Sequence, residues 1–245
     1  MESKFKLPTE TVELPSKGLM YPKDSVLASG KIEMKYMTAR EEDILTNESY
    51  IKNGTVIDRL LKALIVSDIN YDDLLVGDKN AIMVAARILS YGKDYTFTYD
   101  NTQQTVDLSL LNNRELDEAL YSGPETEFEY TLPSSKIDIK FKLLTHGAEK
   151  KIDNEIKGLK KIQKENAPEM TVRLKHMITE VDGSRERKDV RDFVENYFLA
   201  RDARAFREYY SSIQPDVDMR VSFDINGEEE DVDLPITLNF FWPDA

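Results

Sequence analysis

Alternating apolar and charged residues predict a strand near the start of the chain. Ile32, Met34 and Tyr36 are each separated by a charged residue, which is the period of a half-buried strand. Thr38 and Glu41 follow at the spacing of a capping box, in which the side chain of each residue accepts a hydrogen bond from the free backbone amide of the other. The pattern therefore predicts a strand that leads directly into a helix.

The first 30 residues are expected to form an extended, irregular arm. Pro8, Pro15 and Pro22 interrupt any regular element there. Gly18 follows Pro15 by three positions and can adopt a positive φ, which favours a turn. Such an arm can lie on its own core or reach a neighbouring protein, and the sequence leaves both alternatives open.

Helical spacing returns in residues 55–91. One apolar face combines the following residues: Val56, Ile57, Leu60, Leu61, Leu64 and Ile65. A second helix is expected over residues 80–91, with Asp78 as its N-cap and Gly92 just beyond its end. Asp72, Asp73 and Asp78 do not have the spacing of a calcium-binding loop.

Residues 94–145 change to strand-like alternation. Tyr95, Phe97 and Tyr99 precede a polar turn at residues 100–104, which predicts a hairpin with Val106 on its second strand. A short helix is expected over residues 114–121. A second hairpin is predicted around Pro133, Ser134 and Ser135, and its alternating apolar residues are Phe128, Tyr130, Leu132, Ile137, Ile139, Phe141 and Leu143.

Residues 145–212 are expected to be helical throughout, with successive stripes centred on residues 152–162, 174–181, 190–198 and 206–213. Asn226-Gly227 then predicts a terminal hairpin whose returning strand extends to Phe240. Pro235 suggests an edge or a bulge in that strand. The fold class is α+β: helices with several antiparallel β-hairpins, and a C-terminal helical region followed by a terminal hairpin. Residues 1–144 and 145–245 are the expected domains, with one continuous domain as the alternative.

Composition limits the partners and the chemistry. The chain has 245 residues, 46 acidic and 33 basic, with a net charge of −13. That charge repels nucleic acid and anionic lipid. No run approaches the roughly 20 apolar residues of a membrane span, and the N-terminus lacks a secretory pattern. The absence of cysteine excludes disulfides and thiolate metal ligands, and suggests a reducing interior.

Few residues are candidates for catalysis. His146 and His176 lie in different predicted elements, and neither has the neighbours of a metal site or a general base. No phosphate-binding loop, nucleophile elbow or zinc-protease motif is present. We therefore expect no enzymatic activity, no catalytic residue, no cofactor and no metal ion.

Two sets of residues are candidates for partner binding. Arg201, Arg204 and Arg207 recur at one-turn spacing on a helix, where they form either a surface for a partner or an internal network with Asp216 and Asp218. The second set is Phe240, Phe241 and Trp242, which either anchor an interface or pack into the core.

An ordered series of segments carries a family resemblance. The series reads ELPSKGLMYP, GKIEMKYMTAREEDILTN, GTVIDRLLKALI, VGDKNAIMVAARILSYGKDY, YTLPSSKIDIKFKLLTHGAEKKI and the terminal NFFWPD. Together these segments resemble the phage base plate proteins of T-even-type contractile-tailed bacteriophages. The resemblance spans nearly the whole chain and rests on the series rather than on one motif.

The resemblance implies a non-enzymatic, chaperone-like assembly factor for the baseplate hub, which acts through protein–protein contacts in the host cell cytoplasm. The alternative is a structural hub subunit retained in the virion tail baseplate. The implied partners are baseplate hub and tail proteins of the same phage, with no nucleic acid and no membrane span, and the oligomeric state stays open. The resemblance also implies that some relatives carry a cysteine pair, as a zinc site, in the hairpin that here spans residues 95–108. This chain has no cysteine, which excludes a zinc site of that kind.

Overall fold

The computed structural model describes residues 7–124, 126–163, 168–225 and 228–241. Within these residues the protein is α+β, with helices and small antiparallel strand pairs, as the sequence patterns predict. None of the helices in the described ranges is both long enough and apolar enough to cross a bilayer.

The bounds of the regular elements are as follows. The α-helices are α1 (Ala39–Leu45), α2 (Glu48–Lys52), α3 (Val56–Leu64), α4 (Val76–Tyr91), α5 (His146–Gln163), α6 (Glu169–Met177), α7 (Arg187–Asp192) and α8 (Ala200–Ile213). The strands are β1 (Thr9–Glu13), β2 (Lys31–Lys35), β3 (Asp94–Tyr99), β4 (Thr102–Asp107), β5 (Phe128–Thr131), β6 (Asp138–Phe141), β7 (Ile178–Val181), β8 (Arg220–Ile225) and β9 (Glu228–Asp233).

The described part of the N-terminal arm, residues 7–30, lies on the protein's own core. The arm is extended there, as predicted, but it is not irregular throughout, because β1 pairs antiparallel with β2. The connection returns through Gly18, which has φ +79°, and a Cβ there would lie 2.5 Å from the backbone oxygen of Ala28. Glycine is therefore required by both the backbone angle and the close approach. Leu14, next to β1, is fully buried.

The start of α1 is set by local capping, whereas the first turn of α4 makes contacts with a distant segment. The capping box of Thr38 and Glu41 is present at the start of α1, as predicted. The expected N-cap role of Asp78 is wrong, since α4 already begins at Val76 and Asp78 is buried within its first turn. The carboxylate of Asp78 instead accepts hydrogen bonds from Ser16 and Tyr21 of the arm.

Both central hairpins form, with differences in detail. The β3–β4 turn contains only Asp100 and Asn101, which both have positive φ. It is shorter than predicted because these two residue types tolerate the left-handed region. The β5–β6 hairpin forms as expected. The predicted helix over residues 114–121 is reduced to one 3₁₀ turn, Glu118–Leu120.

Two C-terminal predictions need correction. Residues 178–181 are not helical, because α6 ends at Met177 and β7 adds to β6 as a third antiparallel strand.

Strands β8 and β9 pair as a hairpin, whose turn residues Asn226 and Gly227 lie outside the described residues. The returning strand ends at Asp233 instead of Phe240. The chain then passes Pro235, which cannot donate to a ladder, into a 3₁₀ turn at Leu238–Phe241.

One continuous core joins the elements. Helix α8 packs on the three-stranded sheet through Phe206, whose ring centroid lies 4.9 Å from that of Phe141 in β6. Contacts also cross residue 144, since β6 pairs with β7 and Leu75 forms a bridge with Thr145. The division into domains at residues 144 and 145 stays a prediction.

Candidate functional site

Helix α8 separates a buried face from an arginine face. Its buried residues are Asp202, Phe206, Tyr210 and Ile213, spaced three or four positions apart so that they share one side of the helix. Arg201, Arg204 and Arg207 are exposed on the other side. The amphipathic pattern thus directs these three side chains towards solvent.

Asp202 fixes the start of α8 against the β5–β6 turn. Its Oδ1 accepts the Ser134 amide at 2.7 Å, and its Oδ2 accepts the Ser135 amide at 2.9 Å. Burial acts to raise the pKa of Asp202, but the hydrogen bonds from the serines outweigh it and lower the pKa. The Asp202 carboxylate is therefore bonded to Ser134 and Ser135 on the side of the helix opposite the arginines, and it is not their partner.

The internal network considered for the arginines does not form with Asp216 and Asp218. Asp216 Oδ1 accepts the amide group of Asn80 at 2.9 Å, and Asp218 Oδ1 accepts the backbone amide of Arg220 at 3.1 Å. Both carboxylates thus have other partners. The arginine face is not clamped to the loop that follows α8.

The arginines of α8 make only weak interactions with other residues of the described chain. Arg204 Nε lies 2.9 Å from Glu208 Oε1 in an exposed pair of the i,i+4 type, which contributes little stability. Arg207 donates to the sulfur of Met170 at 3.1 Å. Among the described residues, no carboxylate lies within ion-pair distance of Arg201. The charge of this face is therefore largely available to a partner.

Two exposed apolar residues precede the arginine face in the chain. A π-helical turn spans Phe193–Tyr197, and the chain then extends through Leu199 into α8. Tyr197 is 61% exposed and Leu199 is 50% exposed. The sequence prediction of one helical stripe over residues 190–198 missed this exposure. The signal was available, since Phe193, Val194, Tyr197, Phe198 and Leu199 are too many apolar residues for one helix face.

A shallow apolar groove borders the same face on the side of Arg207. Its volume is about 220 Å³. Met170, which contacts Arg207, is 43% exposed at its rim. The lining residues are Val76, Leu144, Met170, Leu174, Met177 and Tyr210, with Glu149, Arg173, Arg207 and Gln214 as polar neighbours. We call Arg201, Arg204, Arg207, Tyr197, Leu199 and this groove the α8 surface.

The C-terminal aromatic residues behave differently from the arginines. Phe240 and Phe241 are fully buried, and the Phe240 ring lies 4.9 Å from that of Tyr95 in an edge-to-face contact. These two residues therefore pack into the core, which corrects the expectation of an exposed anchor at their positions. Trp242 lies outside the described residues.

The two histidines occupy separate polar clusters. His146 has a side chain only 7% exposed, and its Nε2 lies 3.4 Å from Asp58 Oδ2 while its Nδ1 lies 3.2 Å from Lys79 Nζ. Burial first, and then Lys79, lower its pKa. His176 Nε2 lies 2.8 Å from Glu155 Oε2. The His146 cluster thus joins α3, α4 and α5 inside the fold.

Comparison with known proteins gives one match that spans almost the whole chain. A family model described as T4 bacteriophage base plate protein matches residues 8–242. No curated protein and no solved structure is detectably similar to the chain.

Proposed function

The chain belongs to the T4 bacteriophage base plate protein family, and from this premise we propose that it is a non-enzymatic assembly factor for the baseplate hub. In this role it holds hub subunits in an assembly-competent form in the host cytoplasm and is released before the particle is complete. It acts through contacts with other baseplate proteins and catalyses no chemical reaction.

The observation that carries this proposal is the α8 surface. Arginine and tyrosine dominate the energetics of protein interfaces, where arginine forms forked hydrogen bonds and tyrosine adds contact area at small entropic cost. Arg201, Arg204 and Tyr197 are exposed within a short span, and they lack strong partners among the residues that the structure describes. Such a surface fits the docking of a protein.

The burial of His146 supports the absence of catalysis. A general base must lie within hydrogen-bond reach of the proton that it abstracts. The imidazole of His146 is instead enclosed by Asp58, Lys79 and the ring of Tyr71, whose centroid lies 4.7 Å away. A structural role in joining helices accounts for this cluster.

Charge reversal on α8 tests the proposal. In a phage that lacks the wild-type gene product, the variant with Arg204→Glu and Arg207→Glu is expected to abolish hub assembly. A matched control carries Arg40→Glu and Lys52→Glu, which make the same change of net charge at exposed positions on α1 and α2. Two quantities are measured for each variant. The first is the yield of assembled baseplates, and the second is the free energy of unfolding of the purified protein, from chemical denaturation.

The outcomes separate three explanations. Loss of assembly with unchanged stability, in the α8 variant alone, supports an interaction surface. Loss of stability in that variant makes the arginines structural. Normal assembly removes the α8 surface from the proposal.

Quantitative protein analysis of purified virions separates a transient factor from a permanent hub subunit. A transient factor is required during assembly but is absent from finished particles. A fixed number of copies in each baseplate overturns the proposal of release and favours the structural subunit.

A further inference from the structure

A second charged surface lies apart from the arginine face of α8. It is a groove of about 660 Å³ between α5, α6, β7 and α7, which we call the basic groove. Its charged lining residues are Lys151, Lys175, Arg185, Arg187 and Arg191, with His176 and Glu155 between them. Ile178 and Val190 contribute apolar surface to the same groove.

Part of this positive charge is balanced within the chain. Lys175 Nζ lies 3.0 Å from Glu195 Oε1 and 3.6 Å from Glu155 Oε1. Arg185 pairs with Glu127 at 2.8 Å and with Glu180 at 2.9 Å. These pairs hold the two side chains in place at the edges of the groove.

The remaining cations are not balanced. Lys151, Arg187 and Arg191 are exposed, and in the described part of the chain none of them has a carboxylate at ion-pair distance. Three uncompensated cations around one groove repel one another. Their convergence is unexpected on a protein with a net charge of −13, and it favours an anionic occupant.

We propose that the basic groove binds an acidic polypeptide segment of a partner protein. Arginine forks match carboxylates in a bidentate geometry. Ile178 and Val190, both buried, offer an apolar floor for the side chains between those carboxylates. This inference rests on the groove itself and is independent of the assembly role proposed for the α8 surface.

Nucleic acid fits this groove less well than a polypeptide. No aromatic residue occurs among the residues that line it, so bases have no stacking platform. The net charge of −13 also repels a phosphate backbone, which carries one charge per roughly 1.7 Å of duplex. A short segment with a few carboxylates experiences much less of this repulsion.

A second copy of the chain is also a poorer occupant. Its most acidic segment is β9, where three of the carboxylates already have partners. Glu230 Oε2 accepts the hydroxyl of Tyr99 at 3.3 Å, and Asp231 Oδ1 accepts the hydroxyl of Ser222 at 2.6 Å. Asp233 lies 3.8 Å from Arg220. These contacts compete with insertion into another molecule.

Fluorescence anisotropy with a labelled free peptide tests the inference. The probe is Asp-Glu-Leu-Glu-Asp-Leu-Glu, a sequence that does not occur in this chain. It has closely spaced carboxylates and apolar residues, and the comparison peptide replaces every acid by its amide. The full-length protein is titrated as wild type and with Lys151→Glu and Arg191→Glu. The matched control carries Lys157→Glu and Lys188→Glu, at exposed positions outside the groove on the same two helices.

The acidic peptide is expected to bind and the amide peptide to bind much more weakly. The groove variant should lose about tenfold or more in affinity, because like charges then face each other. The control should remain within about twofold of wild type, and rising salt should weaken binding. Circular dichroism confirms that all variants are folded.

Four results overturn the inference. The first is absence of binding by the acidic peptide, and the second is an equal loss of affinity in both variants. The third is tighter, groove-dependent binding of an oligothymidine strand, which makes the groove a phosphate site. The fourth is groove-dependent self-association of the wild-type protein in sedimentation analysis, which makes a second copy the occupant.

Discussion

The phenolic oxygen of Tyr21 lies 2.6 Å from Asp78 Oδ2 and also accepts the backbone amide of Leu75 at 2.9 Å. Tyr21 belongs to the N-terminal arm, whereas Asp78 lies in the first turn of α4. Ser16 donates to the same carboxylate from both its amide and its hydroxyl. One buried carboxylate thus holds the arm to the core.

Removal of the Tyr21 hydroxyl should destabilise the fold. Tyr21→Phe leaves a buried carboxylate with one donor fewer and leaves the Leu75 amide without its acceptor, so a loss of about 2–3 kcal/mol in the free energy of unfolding is expected. Urea denaturation measures this loss. Tyr91→Phe is the control, because the Tyr91 hydroxyl bonds Glu42 at the surface and its removal should change stability by less than about 0.5 kcal/mol. Equal effects of the two substitutions would contradict an anchoring role for Tyr21.

Two helical glycines should respond to alanine in opposite directions. A Cβ at Gly77 in α4 would lie 1.7 Å from the backbone oxygen of Pro215, whereas a Cβ at Gly158 in α5 meets no atom within 4 Å. Gly77→Ala must displace the chain after α8 and should cost about 3 kcal/mol or more. Gly158→Ala should stabilise by about 0.5–1 kcal/mol, since alanine loses less backbone entropy in a helix. Thermal denaturation of both variants compares them, and a tolerated Gly77→Ala is inconsistent with this packing.

Acid should weaken the fold through His146. Burial and Lys79 lower the pKa of His146, so the unfolded chain takes up this proton first, near its pKa of about 6.5. The resulting stability is present above about pH 6.5 and is lost as pH falls through the folded-state pKa. Asp58 stays charged in this range: burial acts to raise its pKa, but Lys79, His146 and Tyr71 together outweigh burial and lower it.

The measurement compares the free energy of unfolding at about pH 7.5 and about pH 5.5. The wild-type protein should lose more stability across this interval than His146→Gln. An NMR titration of the His146 imidazole in the wild-type protein measures its folded-state pKa directly, and the midpoint is expected below about pH 6.5. A midpoint above that value reverses the sign of the effect. Asp72, Lys62 and Tyr71 are the other ionisable groups that face this ring.

The exposed residues before α8 should contribute to partner binding and little to stability. Tyr197→Ala combined with Leu199→Ser should change the free energy of unfolding by no more than about 0.5 kcal/mol. The same variant should reduce co-purification with hub components from infected cells by about tenfold or more, as expected for interface anchors. Leu110→Ser is the control, because Leu110 is 73% exposed elsewhere on the chain. Unchanged recovery of hub components removes Tyr197 and Leu199 from the α8 surface.

The arginine face shows how much of the site the sequence contained. The spacing of Arg201, Arg204 and Arg207 predicts a shared helix face, and α8 places all three side chains at the surface. Their role in partner binding stays a prediction. The basic groove was not predictable in the same way, since Lys151 and Arg191 are far apart in the sequence and lie on two helices that tertiary packing brings together.

The sequence by itself determined the features that depend on neighbouring residues. The capping box at Thr38, the β3–β4 and β5–β6 hairpins and the two faces of α8 follow from local periodicity and turn chemistry. Only the tertiary structure decided that Asp78 binds the arm, that residues 178–181 form a strand and that Phe240 is buried. In each of these cases a distant partner satisfies a polar group or covers an apolar one, and the free energy of that contact outweighs the local preference.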